Sequence, residues 1–232
     1  MIFVHIGAGA GDQDPFSNFR DGFSEYVKNH ESKIKKIFVI EPNPKNIEKL
    51  KKTWENYNDT EFLNFAIVPN NFENEEIKLF YSEEDSLHCQ YLSNNIDHIK
   101  HYFPNSKINY LLAKTLKIET FLNKFFKNQT IESFSTDIEG ADSDIIMDID
   151  LVKYKINNIS FEYLHLSKDQ KKKLIDKLIN NGYSYNGVGI DHNNIDLLFT
   201  KKKSKWNDLI VKLFPYVHRI HYKRLNKLIK KL

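Results

Sequence analysis

Apolar residues fall into short uninterrupted runs, and these runs alternate with stretches of helical spacing along most of the chain. Ile2-Phe3-Val4-His5-Ile6 and Lys36-Ile37-Phe38-Val39-Ile40 have the length and apolar continuity of strands covered on both faces. Between them, residues 15–29 put Phe16, Phe19, Phe23, Tyr26 and Val27 on one helical face. Residues 44–56 read as a helix with Asn43 as cap and Pro44 in its first turn. A third strand covers 61–68, and 76–82 alternates enough for an added strand. Residues 83–113 have no clear period, after which 115–126 reads as a short strand leading into a helix. A strand over 131–136, a helical pattern over 143–150, a strand over 156–163 and a helix over 167–180 continue the alternation. A final antiparallel pair, 183–188 and 195–200, surrounds the turn-rich Gly189-Ile190-Asp191-His192-Asn193-Asn194. The pattern predicts an α/β fold: a mostly parallel seven-stranded sheet ending in an antiparallel hairpin, with helices on both faces.

At 232 residues, 41% of them hydrophobic, the chain suits one domain with a sizeable core. Cys89 stands alone, which rules out an internal disulfide. The first residues lack the charged and apolar regions of a signal peptide, and no apolar run approaches the roughly 20 residues of a membrane span. These features predict a cytoplasmic enzyme.

Charge divides the chain unevenly. From Lys201 onward 11 Lys or Arg face one acid, Asp208, leaving +10, while the first 200 residues carry 23 bases and 30 acids, or −7. Trp206, Leu209, Ile210, Leu213, Val217, Ile220, Leu225, Leu228 and Leu232 recur near helical spacing, interrupted by Pro215. Residues 204–232 therefore read as a basic amphipathic tail beyond a domain covering 1–203. Such a tail suits peripheral contact with the anionic inner face of a membrane, or packs on the body with its lysines in water.

The candidate chemistry begins where the first strand ends. Gly7-Ala8-Gly9-Ala10-Gly11 lets backbone approach a ligand closely, and the second strand ends in Glu41-Pro42-Asn43, where α/β nucleotide folds place a carboxylate on ribose hydroxyls. An adenosine-containing cofactor follows from the pair. The glycine register is not the GxGxxG that seats a pyrophosphate, and Glu41 lies 34 residues beyond Gly7 rather than roughly 20. Both details favour S-adenosylmethionine over a dinucleotide.

Past the fourth core strand stands Asp137-Ile138-Glu139-Gly140-Ala141-Asp142, which resembles the Asp-x-Glu-Gly-Ala-Glu signature of FkbM-type methyltransferases. Over about residues 2–200, four further segments resemble that family in the same order: Val4 through Gly11, Ile40-Glu41-Pro42-Asn43-Pro44, Asn64-Phe65-Ala66-Ile67, and Ile159-Ser160-Phe161-Glu162. Thr115-Leu116 also looks like its Thr-x-x-Leu stretch. The resemblance implies a Rossmann-like class I fold that moves a methyl group from S-adenosylmethionine to an oxygen, often a hydroxyl of a sugar or polyketide. Carried onto matching positions, it implies cofactor contacts from His5, Gly7, Gly9, Gly11, Glu41, Pro42, Ala66, Ile67 and Asp137. His5 stands where the family commonly has Asp, and Asp142 replaces its Glu. The extension that members often place before the first strand is missing from this sequence.

In an open α/β sheet the ligand crevice lies at the carboxyl ends of the strands, where Asp137 and Glu139 stand past the strand over 131–136 and Glu162 with His165 past the strand over 156–163. Asp137 is the first candidate to face the reacting centre, Glu139 supports it, and His165 competes as general base. His88 is a remoter candidate. The same acids also suit capping of the following helix. A carboxylate cluster of Asp137, Glu139 and Asp142 has the oxygen donors for Mg²⁺ or Ca²⁺, yet metal dependence is not the expectation. Residues 83–113, with His88, Tyr91, His98, His101, Tyr102, Phe103 and Tyr110, mix aromatic and polar groups suited to sugars and form the candidate acceptor-side insertion or lid. The expected acceptor is a small molecule or a glycan, and no nucleic acid is expected. Three rivals remain: a nucleic-acid methyltransferase, a nicotinamide oxidoreductase and a non-catalytic binding module.

Overall fold

In the computed structural model, which describes residues 1–13, 22–85, 91–188 and 196–217, strands and helices alternate almost throughout. The first half runs β1 (Ile2–Ile6), α1 (Gly22–Lys28), β2 (Lys36–Ile40), α2 (Pro44–Thr53), β3 (Thr60–Leu63), β4 (Ala66–Val68), β5 (Glu76–Ser82) and α3 (Ile96–Tyr102). The second runs β6 (Ile108–Lys117), α4 (Ile118–Phe126), β7 (Thr130–Thr136), α5 (Asp142–Asp148), β8 (Lys155–Glu162), α6 (Lys168–Asn180), β9 (Ser184–Val188), β10 (Asp196–Thr200) and α7 (Lys205–Val211). Seven strands form one sheet in the order β3-β2-β1-β7-β8-β10-β9. The first five are parallel, and β10 inserts antiparallel between β8 and β9.

Side chains on successive strand residues face opposite ways, and here each face has its own core. Phe3, Ile37 and Val39 pack with Phe23 and Val27 of α1 and with Ile47 and Leu50 of α2. Ile2, Val4, Ile6, Phe38 and Ile40 pack with Phe121 and Leu122 of α4 and with Ile145 and Ile146 of α5. The predicted two-faced, mostly parallel sheet is thus present. Asn43 caps α2, its side chain accepting from the Lys45 N–H at 3.1 Å, with Pro44 at the first position. Ser167 and Gln170 cap α6 reciprocally.

Three segments differ from the pattern reading. The strand expected over 61–68 is two strands, because Asn64 turns its amide onto the carbonyls of Glu41 and Pro42, at 2.8 and 2.9 Å, and diverts the chain. β4 then joins β6 and β5 in a separate three-stranded sheet, order β4-β6-β5. Residues 83–113, which show no period, hold α3 and most of β6. Within α3 only Ile99 is buried, and β6 exposes Tyr110 and Leu112 while Ala113 is buried, so neither element carries a one-sided stripe. The helix expected over 15–29 is seen as α1 alone; Phe16 and Phe19 lie outside the described residues, as do the turn at 189–194 and the tail beyond 217.

The described part of the tail packs on the body. Val211 and Phe214 are fully buried in the main core, and Phe214 meets the rings of Tyr163 and Tyr185. Trp206, Leu209 and Leu213 of the expected stripe are exposed, together with Tyr216. Among the described residues no helix is long and apolar enough to cross a membrane.

Candidate active site

From β1 the chain moves outward through β2 to β3, then returns to β7 on the other side of β1. A crevice opens at such a reversal, beyond the carboxyl ends of the two strands. Here the ends are fastened backbone to backbone. Gly7 N–H donates to the Ile40 carbonyl at 2.9 Å and Asp137 N–H to the Ile6 carbonyl at 3.0 Å. Gly7 has φ 78°, and a Cβ on it would lie 1.8 Å from the Asp137 carbonyl oxygen, so only glycine fits. Gly9, φ 53°, has nothing within 4 Å of its Cβ direction and borders open space. Gly11 abuts Thr53 and Leu50 of α2.

Glu41 closes this loop from the end of β2. Its carboxylate accepts from the Gly9 N–H at 2.9 Å, the Asn43 N–H at 2.8 Å and the Asn46 amide at 3.5 Å. Burial nonetheless pushes its pKa up to about 7, against those donors. The Asn64 amide donates to the carbonyls of Glu41 and Pro42, two residues before Ala66 and Ile67 enter β4. His5 is buried and lies on Phe23 of α1, ring centroids 4.4 Å apart, with no hydrogen bond to its Nδ1.

Across the crevice, past β7, the backbone turns sharply. Glu139 adopts φ 53° and Gly140 φ 97°, a left-handed conformation that non-glycine residues rarely take and that often marks functional sites. Ile138 packs on the core. Asp137 has a pKa raised well above the carboxylate range, first by burial, then by the charges of Glu162, Glu139, Asp196 and Asp142. Burial likewise raises Glu139, with Glu162, Asp142 and Asp85 adding to it. Asp142, fully buried at the start of α5, accepts from the Ile138 N–H at 3.4 Å, and burial reinforced by Glu162 pushes it up to about 7. Among the described residues no Lys or Arg forms an ion pair with Asp137, Glu139, Asp142 or Glu162.

The partners that do reach these acids are histidines. His165 Nε2 lies 3.1 Å from Glu162 Oε1, 3.7 Å from Glu139 Oε2 and 3.2 Å from the Tyr102 hydroxyl. His98 Nε2 lies 3.6 Å from Glu139 Oε2, and its ring is 4.3 Å from that of His165. Burial, and then His165, hold His98 below the usual imidazole pKa. Tyr91 stacks on Tyr102 at 5.0 Å. The two turns of α3 therefore stand over the ends of β7 and β8.

Asp137, Glu139 and His165 are thus brought to one crevice with Gly7, whereas Tyr110 is half-exposed on β6 and His88 lies outside the described residues. Sequence reasoning set Glu162 with His165 at the strand ends and put His98 and Tyr102 in the acceptor-side segment, but missed that His98 and Tyr102 reach Glu139 or His165. The Glu162-x-x-His165 spacing after a strand was the one available signal; nothing in the linear pattern connects residue 98 to 139 or 165.

The methyltransferase FkbM domain matches residues 5–185 of this chain. No curated protein sequence matches it significantly. Among solved structures the chain is similar to the crystal structure of methyltransferase FkbM from Methylobacillus flagellatus KT, at 12% identity and a TM-score of 0.47 over 85% of this chain and 42% of that one. It is also similar to the fibrillarin pre-rRNA processing protein of Methanococcus jannaschii, at 10% identity and a TM-score of 0.41 over 87% of this chain and 67% of that one. The chain thus spans about two fifths of the length of the first of these.

Proposed function

Because the chain belongs to the FkbM methyltransferase family, with the Rossmann-like sheet of a class I methyltransferase, we propose that it transfers a methyl group from S-adenosylmethionine to a hydroxyl oxygen of a sugar, glycan, nucleotide sugar or sugar lipid. One observation carries this reading. A loop bordering open space at Gly9 shares its crevice with buried carboxylates that no Lys or Arg neutralises among the described residues. That combination suits a ligand with an adenosine and a positive sulfonium.

S-adenosylmethionine, when bound, supplies a methyl group already activated by the sulfonium charge. The chain has to align the acceptor and remove its proton, and alignment provides most of the acceleration. Gly7, Gly9 and Gly11 would admit the donor, Glu41 would accept from the ribose hydroxyls, and Pro42, Ala66 and Ile67 would flank the base. His5 would brace the loop from the α1 side. Asp137 would face the methyl group, and its raised pKa makes it a stronger base than an ordinary aspartate. Glu139 would support that environment. His165 is the competing base, and Tyr91, His98 and Tyr102 would wall the acceptor side.

Calorimetric titration with S-adenosylmethionine and S-adenosylhomocysteine tests this directly. Micromolar binding is expected, weakened about tenfold or more in Glu41→Ala, since the loop and ribose lose one charged acceptor together. Failure of both ligands to bind the unaltered chain would overturn the reading.

A further inference from the structure

We infer that His98, Glu139 and His165 form a binding site for a divalent first-row transition-metal ion. One ligand atom from each lies within 4.8 Å of the other two. The separations from Glu139 Oε2 are 3.6 Å to His98 Nε2 and 3.7 Å to His165 Nε2. Two ligands sharing one ion at about 2.1 Å stand roughly 3.0–3.4 Å apart, so each histidine needs to approach Glu139 by a few tenths of an ångström, while the two histidines close on each other from within 4.8 Å.

Two of the three ligand atoms, Glu139 Oε2 and His98 Nε2, are buried and without a hydrogen-bond partner, and the third, His165 Nε2, would exchange its bond to the Tyr102 hydroxyl, at 3.2 Å, for the ion. Glu162, with its side chain 8% exposed, places Oε1 3.1 Å from His165 Nε2 while its Oε2 is buried and unpartnered. The two imidazole rings lie with centroids 4.3 Å apart between the two carboxylates, so that one divalent ion would answer all four groups. Glu139 is held toward them by a left-handed backbone.

The donor set decides the class of ion. Two imidazoles and one carboxylate suit Zn²⁺, Mn²⁺, Fe²⁺ or Co²⁺, while Mg²⁺ and Ca²⁺ prefer all-oxygen shells. The ligand set therefore differs from the all-carboxylate Asp137, Glu139 and Asp142 considered from the sequence; Asp142 is fully buried and turned to the Ile138 N–H. The three ligands come from α3 and from the loops after β7 and β8, so the ion would clasp α3 to the crevice. Its open positions would take adjacent oxygen donors, such as vicinal sugar hydroxyls; that last clause rests on the proposed function, the ion site does not. With His165 engaged, Asp137 is left as the base.

The full chain, stripped with chelator and dialysed, is titrated with Zn²⁺. One ion per chain at micromolar affinity or better is expected, weakened about tenfold or more in His98→Ala, His165→Ala and Glu139→Gln. His30→Ala, whose ring bonds the Tyr26 carbonyl on α1, should bind as the unaltered chain does. Co²⁺ bound to the unaltered chain should show visible absorption of a nitrogen–oxygen site, a readout independent of whether any variant folds. Absence of stoichiometric binding, or undiminished binding in all three variants, would overturn the site. Titration of the same metal-free chain with S-adenosylhomocysteine separates the two ideas: donor binding without Zn²⁺ binding removes only the metal.

Discussion

Both walls of the crevice bury carboxylates, and they treat them in opposite ways. Glu41, on the β2 side, sits among N–H donors from Gly9, Asn43 and Asn46. On the β7–β8 side, Glu139, Asp142 and Glu162 each retain a buried oxygen without a hydrogen-bond partner, and after burial itself the charge of Glu162 raises the proton affinity of both Glu139 and Asp142. The difference teaches where the architecture ends and the chemistry begins. A carboxylate held by neighbouring backbone shapes a loop. Carboxylates held against each other store repulsion that only a proton or a bound cation relieves.

The largest effect should come from forcing the two walls apart. Gly7→Ala combines a left-handed φ with a Cβ driven into the Asp137 carbonyl, and should cost about 3 kcal/mol or more by strain and overpacking together. Gly9→Ala carries strain without a clash and should cost about 1–2 kcal/mol. Urea midpoints of the two variants compare them, and equal losses would deny the close approach. Next in size, Asp137→Asn should lower methyl transfer about 100-fold and leave S-adenosylhomocysteine binding within about threefold, the reverse of Glu41→Ala. A parallel loss of donor binding would move Asp137 to the β2 side of the division.

Much of the first wall was legible because its determinants are local. A strand, a glycine loop and an acid at the end of the next strand are read from contiguous residues, and the capped helix at Pro44 follows from Asn43 alone. The second wall was legible only in part. Asp-Ile-Glu-Gly-Ala-Asp marked Asp137 and Glu139, yet their neighbour His98 comes from a seven-residue helix with one buried residue, too short to impose a period. The break at Asn64 was hidden for a related reason: a tertiary bond to Glu41 and Pro42, not a turn signal, ends β3.

The smallest expected effect distinguishes the walls by titration. Glu41 and Asp142 are both pushed up to about 7 from ordinary values of 4.5 and 3.8. A folded-state pKa above the unfolded one means that the folded chain binds protons more tightly, so stability is fully present below about pH 4 and is lost as pH rises through about 7. The ligand-free chain should therefore unfold at lower urea at pH 8 than at pH 5. Glu41→Gln and Asp142→Asn should each flatten that slope, gaining on the unaltered chain by about 1–2 kcal/mol at pH 8. Their causes differ, since burial alone raises Glu41 whereas the charge of Glu162 adds to burial at Asp142. A saturating cation in the crevice should thus cancel part of the Asp142→Asn gain and leave the Glu41→Gln gain unchanged. Equal responses at the two positions would mean that one electrostatic environment spans the crevice, and that the division between its walls is not real.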